Sequence, residues 1–416
     1  MEEEKISVIG LGHLGLPLAI TFALSDFNVI AMDIDEGKIA KLKTRVSPLE
    51  ETGLQEALLN SKVRKNLVPT SDIRKAILKA KASFILVNTP SRTDGSFSLE
   101  YLAKVANDVG KELRNVDFFH VVVVVSTVSP RDCENHIIPI LEEKSGKKCG
   151  VDFGFVHNPE FVALGSVIHD MLHPDFRVIG EFDQKSGDIL ERIYKNVSND
   201  TIIRMSIVNA ELTKIALNCY LTLKISFANT LAEICQKLDG GNADLITKTL
   251  GYDNRISPKF LKAGLGFGGP CFPRDNQALM AVTKSLNSQS FIQEAVVKVN
   301  DRQISLVLEK IRQFPDVQRI VILGLSYKPN VPYITESQAF EIVRILVESG
   351  DYHITVYDPQ AIKFAEVILG NKVEYASSAN EAIEKQSDLF LILTPWKEFE
   401  DLDFQGQKVL NVWKAD

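Results

Sequence analysis

The segment GLGFGGPCFPRD (residues 264–275) surrounds one thiol, that of Cys271, with four glycines and two prolines. Glycine allows backbone conformations and close approaches that a Cβ would block, and proline stiffens a turn. A loop of this composition is suited to holding one side chain against a ligand that contacts the backbone. The alternative is a tight surface turn that contains a small apolar residue.

A second candidate for chemistry is Lys214, in the stretch SIVNAELTKIALNCYLTLKISFANTLAEICQKL (206–238). This stretch is apolar nearly all round, which predicts a long helix buried on most sides. Lys214 and Asn218 are four residues apart and therefore share one face of the helix. A lysine in such a helix either extends its ammonium group to solvent or acts in a site. Lys224, which has no such partner, is the more ordinary of the two lysines.

A dinucleotide site is predicted at the start of the chain. The apolar strand Ile6–Ile9 leads into G-x-G-x-x-G at Gly10, Gly12 and Gly15, an apolar helix follows, and the next strand ends at Asp33. Such glycines form the turn, admit a pyrophosphate and allow close helix packing, while the acid binds ribose hydroxyls. Because the charge of Asp33 would repel an additional phosphate, we expect NAD rather than NADP.

Other residues near this motif are weaker candidates for cofactor binding. His13 and Leu14 lie within it, although packing or solvent exposure is the simpler interpretation of His13. Lys38, one turn into the next helix, could contact the ribose or be an ordinary surface lysine.

Three later strands also end in polar residues. ASFILVNTP, FFHVVVVVSTVSP and GVDFGFVHNPEF end at Thr89, Thr127 and Glu160. Continuous Val, Ile and Phe runs between helices predict parallel strands buried on both faces. Ligands bind beyond the carboxyl ends of such strands, so these residues should lie at the cofactor rim. The alternative for Glu160 is an acid that only stabilises a helix N-terminus.

The chain repeats this plan. RIVILGLS (319–326) echoes KISVIGLG (5–12), and HITVYDP (353–359) echoes NVIAMDI (28–34), with Asp358 in the place of Asp33. We therefore predict an α/β fold with two doubly wound, parallel-sheet (Rossmann-like) domains, joined by a long central helix and a helical dimerisation region. The predicted domains are 1–205 (NAD binding), 206–300 (central, helical and dimerisation) and 301–416 (binding a different nucleotide, or part of one). The last lacks the full glycine motif and should not bind a second dinucleotide.

Composition excludes several classes. With 45% hydrophobic residues, 24% charged residues and a net charge of −7, the 416-residue chain has no basic excess for nucleic acid. No apolar run approaches ~20 residues, so we expect no membrane span. The acidic start, MEEEKISVIG, is not expected to be a signal peptide. Five scattered cysteines without a CxxC pair favour a reducing, cytoplasmic location over disulfides or a zinc site.

Nearly the whole chain resembles the nucleotide-sugar 6-dehydrogenases, the family of UDP-glucose, GDP-mannose and UDP-N-acetylhexosamine dehydrogenases. The motifs that carry the resemblance are GLGHLGLPLA, VNTP, VVSTVSP, NPEF, AELTKIALNCY, NRISPKFLKAGLGFGGPCFPRD and GLSYKPN. The resemblance implies oxidation of a sugar CH₂OH to a carboxylate with two NAD per turnover. It implies UDP-glucose as the first candidate substrate, because the cysteine loop is most similar to that type. The alternatives are a UDP-N-acetylhexosamine or GDP-mannose substrate, since the motifs are mixed.

The resemblance also implies catalytic roles. Cys271 would add to the aldehyde, giving a thiohemiacetal and then a thioester. Lys214 would stabilise the oxyanion, with Asn218 as a neutral donor. Thr127 and Glu160 would hold a water, and Asp275 would assist deprotonation. By the same resemblance Arg274 would lie near the cofactor, and Arg255 would reach the site of a partner in a homodimer. The remaining implied substrate-binding residues are Phe161, Phe260, Leu261, Lys262, Gly268 and Lys328.

Three positions depart from the family pattern. Leu164 stands where a polar residue is usual, Thr335 replaces an arginine that commonly contacts the cofactor, and Lys414 stands near the place of a C-terminal arginine. Two other functions therefore remain open. A two-electron dehydrogenase of the hydroxyacid kind would use Lys214 but not Cys271, and a silent nucleotide-binding scaffold would use neither. The number of NADH formed per sugar separates the three.

Overall fold

Runs of β-branched and aromatic residues form the first sheet. The computed structural model describes residues 5–385 and 387–414, so the acidic start, residues 1–4, lies outside the described part. The first compact unit ends at Ala216. Its strands are β1 (Lys5–Ile9), β2 (Asn28–Met32), β3 (Leu67–Thr70), β4 (Ala82–Ile85), β5 (His120–Val124), β6 (Phe153–His157), β7 (Arg177–Glu181) and β8 (Ile202–Ser206).

These strands form one sheet in the order β3-β2-β1-β4-β5-β6-β7-β8. All neighbours are parallel except β6 and β7, which are antiparallel. The predicted doubly wound sheet is therefore confirmed, with one reversal near its edge. The helices of this unit are α1 (Gly15–Leu24), α2 (Glu36–Lys43), α3 (Leu54–Leu59), α4 (Ser61–Asn66), α5 (Ile73–Leu78), α6 (Glu100–Leu113), α7 (Ile138–Ser145), α8 (Val167–Leu172), α9 (Gln184–Lys195) and the start of α10 (Ile207–Cys235).

Strand β5 shows how the sheet is covered. Val121 and Val123 pack in one apolar cluster, with Phe22 of α1. Val122 packs in another, with Leu102 of α6. Because successive side chains of a strand point to opposite faces, both faces of the sheet are covered by helices. The strand ends are then the places where polar groups can meet a ligand.

The second unit begins at Leu217, within α10. Its five-stranded sheet has the order β11-β10-β9-β12-β13 and is parallel throughout. The strands are β9 (Arg319–Leu323), β10 (His353–Tyr357), β11 (Glu374–Tyr375), β12 (Leu389–Ile392) and β13 (Val409–Asn411). Besides most of α10, its helices are α11 (Ala243–Gly251), α12 (Phe272–Ser285), α13 (Phe291–Arg312), α14 (Gln338–Ser349), α15 (Ile362–Leu369) and α16 (Ala379–Glu384).

The internal repeat predicted from the sequence is also seen in equivalent hydrogen bonds of the two units. In the first unit Leu11 N donates to Asp33 Oδ2 at 2.7 Å, and in the second Leu325 N donates to Asp358 Oδ2 at 2.8 Å. Asp358, however, is only 1% exposed and also accepts the indole Nε1 of Trp396 at 3.2 Å. Its carboxylate is therefore occupied within the protein.

Helix α10 is less buried than its composition suggests. Tyr220, Phe227 and Ile234 are 56%, 49% and 49% exposed and recur every seven residues. They form an apolar stripe, here called the α10 stripe, on one side of the helix. The prediction of burial on most sides is therefore wrong for the single chain.

No helix in the described ranges is both long and apolar enough to cross a membrane.

Candidate functional site

The three glycines of the first turn have different surroundings. A Cβ on Gly10, whose φ is +92°, would lie 2.1 Å from Leu86 O, and one on Gly15 would lie 1.8 Å from Gly10 O. A Cβ on Gly12 would have no protein atom within 4 Å. Gly10 and Gly15 are thus required by packing within the fold, whereas Gly12 leaves its backbone open to a ligand. This is the arrangement that a pyrophosphate at the N-terminus of α1 requires.

Asp33 terminates β2 beside this turn. Its carboxylate accepts Leu11 N at 2.7 Å and Asp35 N at 2.9 Å, and Lys38 Nζ lies 3.4 Å away. Burial lowers the pKa of His13, which keeps the imidazole neutral near pH 7. The structure therefore brings Asp33 and Lys38 together at the predicted position of the ribose, and these residues fit a dinucleotide.

The ends of β4 and β5 are tied together. Thr89 Oγ1 donates to Thr127 O at 2.7 Å, and Ser126 Oγ both donates to Val87 O at 2.7 Å and accepts from Val87 N at 2.9 Å. Two of the predicted rim residues are therefore in direct contact, through one side chain and one carbonyl. The rim is fixed by these bonds before any ligand binds.

Lys214 lies against the segment that follows β6. Its Nζ donates to the main-chain oxygen of Glu160 at 2.6 Å and lies 5.2 Å from the centre of the Phe161 ring. The Glu160 side chain is 8% exposed, and burial raises the pKa of its carboxyl. Its Oε1 has no hydrogen-bond partner in the described part of the chain. Three predicted site residues of the first unit are thus adjacent, and one carboxyl oxygen can accept a ligand or water.

In the second unit the structure pairs Asn218 with Asp275. Asn218 Nδ2 donates to Asp275 Oδ2 at 2.5 Å, and Arg274 Nε donates to Oδ1 at 3.2 Å. Asp275 is fully buried, and its backbone N–H donates to Cys271 O at 2.8 Å. Cys271 itself is exposed and precedes the first residue of α12. A helix N-terminus favours negative charge nearby.

The glycines of the cysteine loop are explained by the protein around them. In each of four positions an added Cβ would strike another group. The pairs are Gly264 with Trp413 at 2.2 Å, Gly266 with Asn300 Oδ1 at 2.3 Å, Gly268 with Glu336 O at 2.2 Å, and Gly269 with the Tyr327 ring at 2.5 Å. The loop is therefore packed on neighbouring segments of the second unit, and not simply open for a ligand.

The predicted substrate loop is only partly buried. Leu261 is 5% exposed, whereas Phe260 is 45% exposed with φ of +62°, and Lys262 is exposed. The side chain of Arg255 is 87% exposed and bonds Asp253 at 2.6 Å. Lys328 Nζ lies 5.9 Å from the centre of the Tyr327 ring, the ring that packs on Gly269.

The sequence predicted no role for Glu211, and it indicated that Lys224 is the more ordinary of the two lysines of the helix. Glu211, fully buried and three residues before Lys214, accepts Arg131 N at 2.6 Å and Cys133 N at 3.0 Å. Burial raises the pKa of Glu211 to about 7. Lys224 Nζ donates to Ile256 O at 3.1 Å and Ser257 O at 2.9 Å. The available signal was a charged residue in an otherwise apolar helix.

The structure shows what surrounds the three residues that depart from the family pattern. Leu164 packs against the apolar cluster of the first unit, and the main-chain oxygen of Thr335 accepts Gly269 N at 3.1 Å. Lys414 is exposed and, with Trp413 and Gly264, lines a cavity of about 80 Å³. Among the described residues, no group of three or more His, Cys, Asp or Glu side chains could hold a metal ion.

Comparison with known families accounts for most of the chain. Residues 4–198 match the NAD binding domain of the UDP-glucose/GDP-mannose dehydrogenase family, residues 208–302 match its central domain, and residues 321–414 match its UDP binding domain. The cofactor predicted from the first turn is therefore confirmed as NAD.

Individual relatives cover most or all of the chain. UDP-glucose 6-dehydrogenase TuaD of Bacillus subtilis is 35% identical over 98% of this chain and 87% of its own length. GDP-mannose 6-dehydrogenase of Pseudomonas syringae is 33% identical over 88% of this chain and 83% of its own. The solved structure of a UDP-glucose dehydrogenase from Pyrobaculum islandicum superimposes with a TM-score of 0.93 and 33% identity, covering 100% of this chain and 95% of that one.

Proposed function

This chain belongs to the UDP-glucose/GDP-mannose dehydrogenase family, and from that premise we propose that it oxidises UDP-glucose to UDP-glucuronate. The observation that carries the proposal is the exposed Cys271 at the start of α12, with the buried pair Asn218–Asp275 in the same unit. A two-electron alcohol dehydrogenase has no use for a thiol held in this way.

The proposed reaction removes four electrons from C6. Bound NAD supplies the hydride acceptor in each of the two oxidations, and each oxidation also releases one proton. Between them, the thiolate of Cys271 forms a C–S bond to the aldehyde carbon, and the carbonyl oxygen takes up a proton. After the second oxidation the product is a thioester. Water then adds to its carbonyl carbon, the C–S bond breaks, and the carboxylate and the Cys271 thiol are released.

In the first unit, Lys214 and Glu160 carry the proposed polar steps. The Lys214 ammonium is a preorganised donor for the negative oxygen that develops at C6. The free Oε1 of Glu160 can accept a hydrogen bond from the attacking water. Because burial raises the pKa of Glu160, its carboxyl can take up the water's proton at a higher pH than an exposed glutamate would. Thr127, bonded to Thr89 through its carbonyl, keeps its hydroxyl for a ligand in this proposal.

In the second unit, Asp275 is the proposed proton acceptor for the thiol. Asn218 and Arg274 hold its two carboxylate oxygens, so the side chain has a fixed orientation. We further assign Phe260, Leu261, Lys262, Gly268 and Lys328 to sugar-nucleotide binding, as the family resemblance implies. The match of residues 321–414 to a UDP binding domain supports a uridine nucleotide.

A homodimer is part of the proposal. The α10 stripe exposes three large apolar side chains, and a second copy of this chain would bury them. Arg255, exposed and held by Asp253, would then serve the partner's substrate site. Light scattering of the wild type and of Phe227→Glu tests this. We expect a dimer and a monomer respectively, and a fully active wild-type monomer would contradict it.

The experiment that tests the function is a count of NADH per sugar. UDP-glucose, supplied in limiting amount with excess NAD, should give two NADH and one uronate. One NADH per sugar would indicate the two-electron alternative, and none with any nucleotide sugar would indicate a scaffold. GDP-mannose and UDP-N-acetylhexosamines serve as competing substrates, because a GDP-mannose enzyme is also among the relatives.

A further inference from the structure

Three buried carboxamides hold the backbone that leads to Cys271. Asn229 on α10, Asn300 on α13 and Gln338 on α14 are 2%, 9% and 7% exposed. All three belong to the second unit and bond main-chain groups of residues 264–267. We call them the amide frame.

Each member bonds the loop backbone directly. Asn229 Oδ1 accepts Gly264 N at 2.9 Å, and its Nδ2 donates to Leu265 O at 3.4 Å. Asn300 Oδ1 accepts Phe267 N at 2.7 Å, and its Nδ2 donates to Phe267 O at 3.2 Å.

Gln338 completes the frame and links it. Its Oε1 accepts Gly266 N at 2.7 Å, and its Nε2 donates to Asn300 O at 2.7 Å. A carboxamide offers a donor and an acceptor without charge, so it can bond both an N–H and a C=O of an irregular buried loop. The loop thus obtains from three helices the backbone bonds that a regular element would supply internally.

We propose that the amide frame is the positioning device for the Cys271 nucleophile, which fixes the loop so that the thiol meets the aldehyde before the aldehyde escapes. The frame touches neither substrate nor cofactor in this proposal, and its members are positioning residues. The inference rests on the proposed four-electron function. A displacement of the loop should harm carbon–sulfur bond formation more than the first oxidation, which does not use the thiol.

The test uses two kinds of substitution in the full chain. Asn300→Asp keeps the acceptor for Phe267 N but loses the donor to Phe267 O. Gln338→Met removes both hydrogen bonds of that side chain with little change in volume. The matched controls are Gln303→Glu and Gln303→Met. Gln303 lies one turn along α13, is 7% exposed, and donates within the described residues to Val299 O of its own helix at 3.0 Å.

The main readout is the fate of the sugar. Free aldehyde is captured with an aminooxy reagent and compared with NADH and uronate. Wild type and both controls should release no aldehyde. In the frame variants uronate formation should fall by about 10²-fold, as for a displacement near 1 Å, while the first oxidation continues and aldehyde accumulates. Alkylation of Cys271 by iodoacetamide, followed by peptide mass spectrometry, should also change in rate.

A pH series adds a readout that mere destabilisation would not give. The carboxyl introduced by Asn300→Asp faces a carbonyl oxygen and should have a raised pKa, so it is protonated at mildly acidic pH. In that form it can again donate to Phe267 O. Aldehyde release relative to wild type should therefore shrink at low pH in Asn300→Asp and stay unchanged in Gln338→Met.

The outcomes are distinct. If wild type forms no second NADH, the proposed function fails. If wild type behaves as proposed and folded frame variants form uronate at the wild-type rate, or lose NADH and uronate in proportion without aldehyde, the amide frame proposal is overturned.

Discussion

The amide of Asn218 donates to the carboxylate of Asp275 across 2.5 Å, and both side chains are buried. Asp275 lies four positions after Cys271, and its backbone N–H donates a helical hydrogen bond to Cys271 O. This pair therefore supports the first turn of α12 from within the second unit.

Exchanging the amide of Asn218 and the carboxylate of Asp275 tests whether the two side chains interact directly. In Asn218→Asp two carboxylates would face each other, and like charges at this distance raise their pKa values. A carboxyl whose pKa is raised in the folded state stabilises the fold at pH values below its unfolded pKa. This contribution is lost as the pH rises through the folded pKa. Urea unfolding should show a loss of about 3 kcal/mol at pH 8 and a smaller one at pH 5. The double variant Asn218→Asp/Asp275→Asn should regain most of it, and equal losses in the single and double variants would contradict the direct interaction.

The titration of Glu211 should give a second pH effect on the unfolding free energy, this time in the wild type. Burial raises its pKa from 4.5 to about 7, so its stabilising contribution is complete below about pH 4.5 and lost as pH rises through 7. Glu211→Gln has no such titration. The unfolding free energy of wild type relative to this variant should therefore fall by about 3 kcal/mol between pH 4.5 and 8.

The control for Glu211 is Glu142→Gln. Glu142 also accepts a backbone N–H, that of Cys149 at 3.0 Å, but the pKa of Glu142 is lowered, with Lys148 as hydrogen-bond partner. Its contribution is present above about pH 4.5 and is lost only below it, so the Glu142→Gln difference from wild type should stay nearly constant between pH 4.5 and 8. A Glu211→Gln difference that is flat with pH would show that folding does not raise the pKa of Glu211.

Asp33 should set the preference between cofactors. Its carboxylate follows β2 directly, and in the described part of the chain Lys38 is the cation paired with it, at 3.4 Å. We expect NADP to bind at least about tenfold more weakly than NAD, a difference of about 1.4 kcal/mol. Asp33→Asn should reduce that ratio, measured by direct titration. Asp35→Asn, which changes an acid that caps α2, should leave the ratio unchanged. Tighter NADP than NAD binding in wild type would refute the prediction.

Cys271→Ser should separate the two oxidations. Serine is a weaker nucleophile because its alkoxide is harder to form, and an ester hydrolyses more slowly than a thioester. NAD binding should be intact, the first oxidation visible, and uronate release abolished. Mass spectrometry should find either no adduct or a stable ester at the substituted position. Cys149→Ser, at a buried thiol of the first unit, is the control.

Lys214→Ala should behave differently from Cys271→Ser. Loss of one oxyanion donor costs about 10²–10³ in rate, and this donor is used in several steps. Uronate and NADH should therefore fall together, without a trapped adduct. Wild-type turnover in Cys271→Ser would reject the covalent mechanism, and an accumulated adduct in Lys214→Ala would reject the shared role of Lys214.

The sequence by itself determined the parts that depend on local pattern. Gly10, Gly12 and Gly15 lie within one turn, and continuous apolar strands end at Asp33 and at Glu160. These features can be recognised from the two-residue period of a strand and from the positions where only glycine is accommodated, because the backbone is left-handed or the surroundings are crowded. For that reason the two doubly wound sheets, the NAD site and the repeat were predictable, whereas the antiparallel pairing of β6 with β7 was not. The sequence also indicated Cys271 as a candidate for chemistry, because the loop around it contains more glycine than an ordinary turn requires.

Only the tertiary structure decided what supports these residues. Gln338 bonds Gly266 across 72 residues of sequence, Asn229 bonds Gly264 across 35, and Glu211 bonds Cys133 across 78. An Asn or Glu in an apolar helix looks the same in sequence whether it bonds a distant backbone or points to solvent. Its role is set by which segment packs against that face of the helix. The glycines of the cysteine loop were likewise predicted to admit a ligand, and only the structure shows that their Cβ space is filled by Trp413, Glu336, Tyr327 and the amide frame.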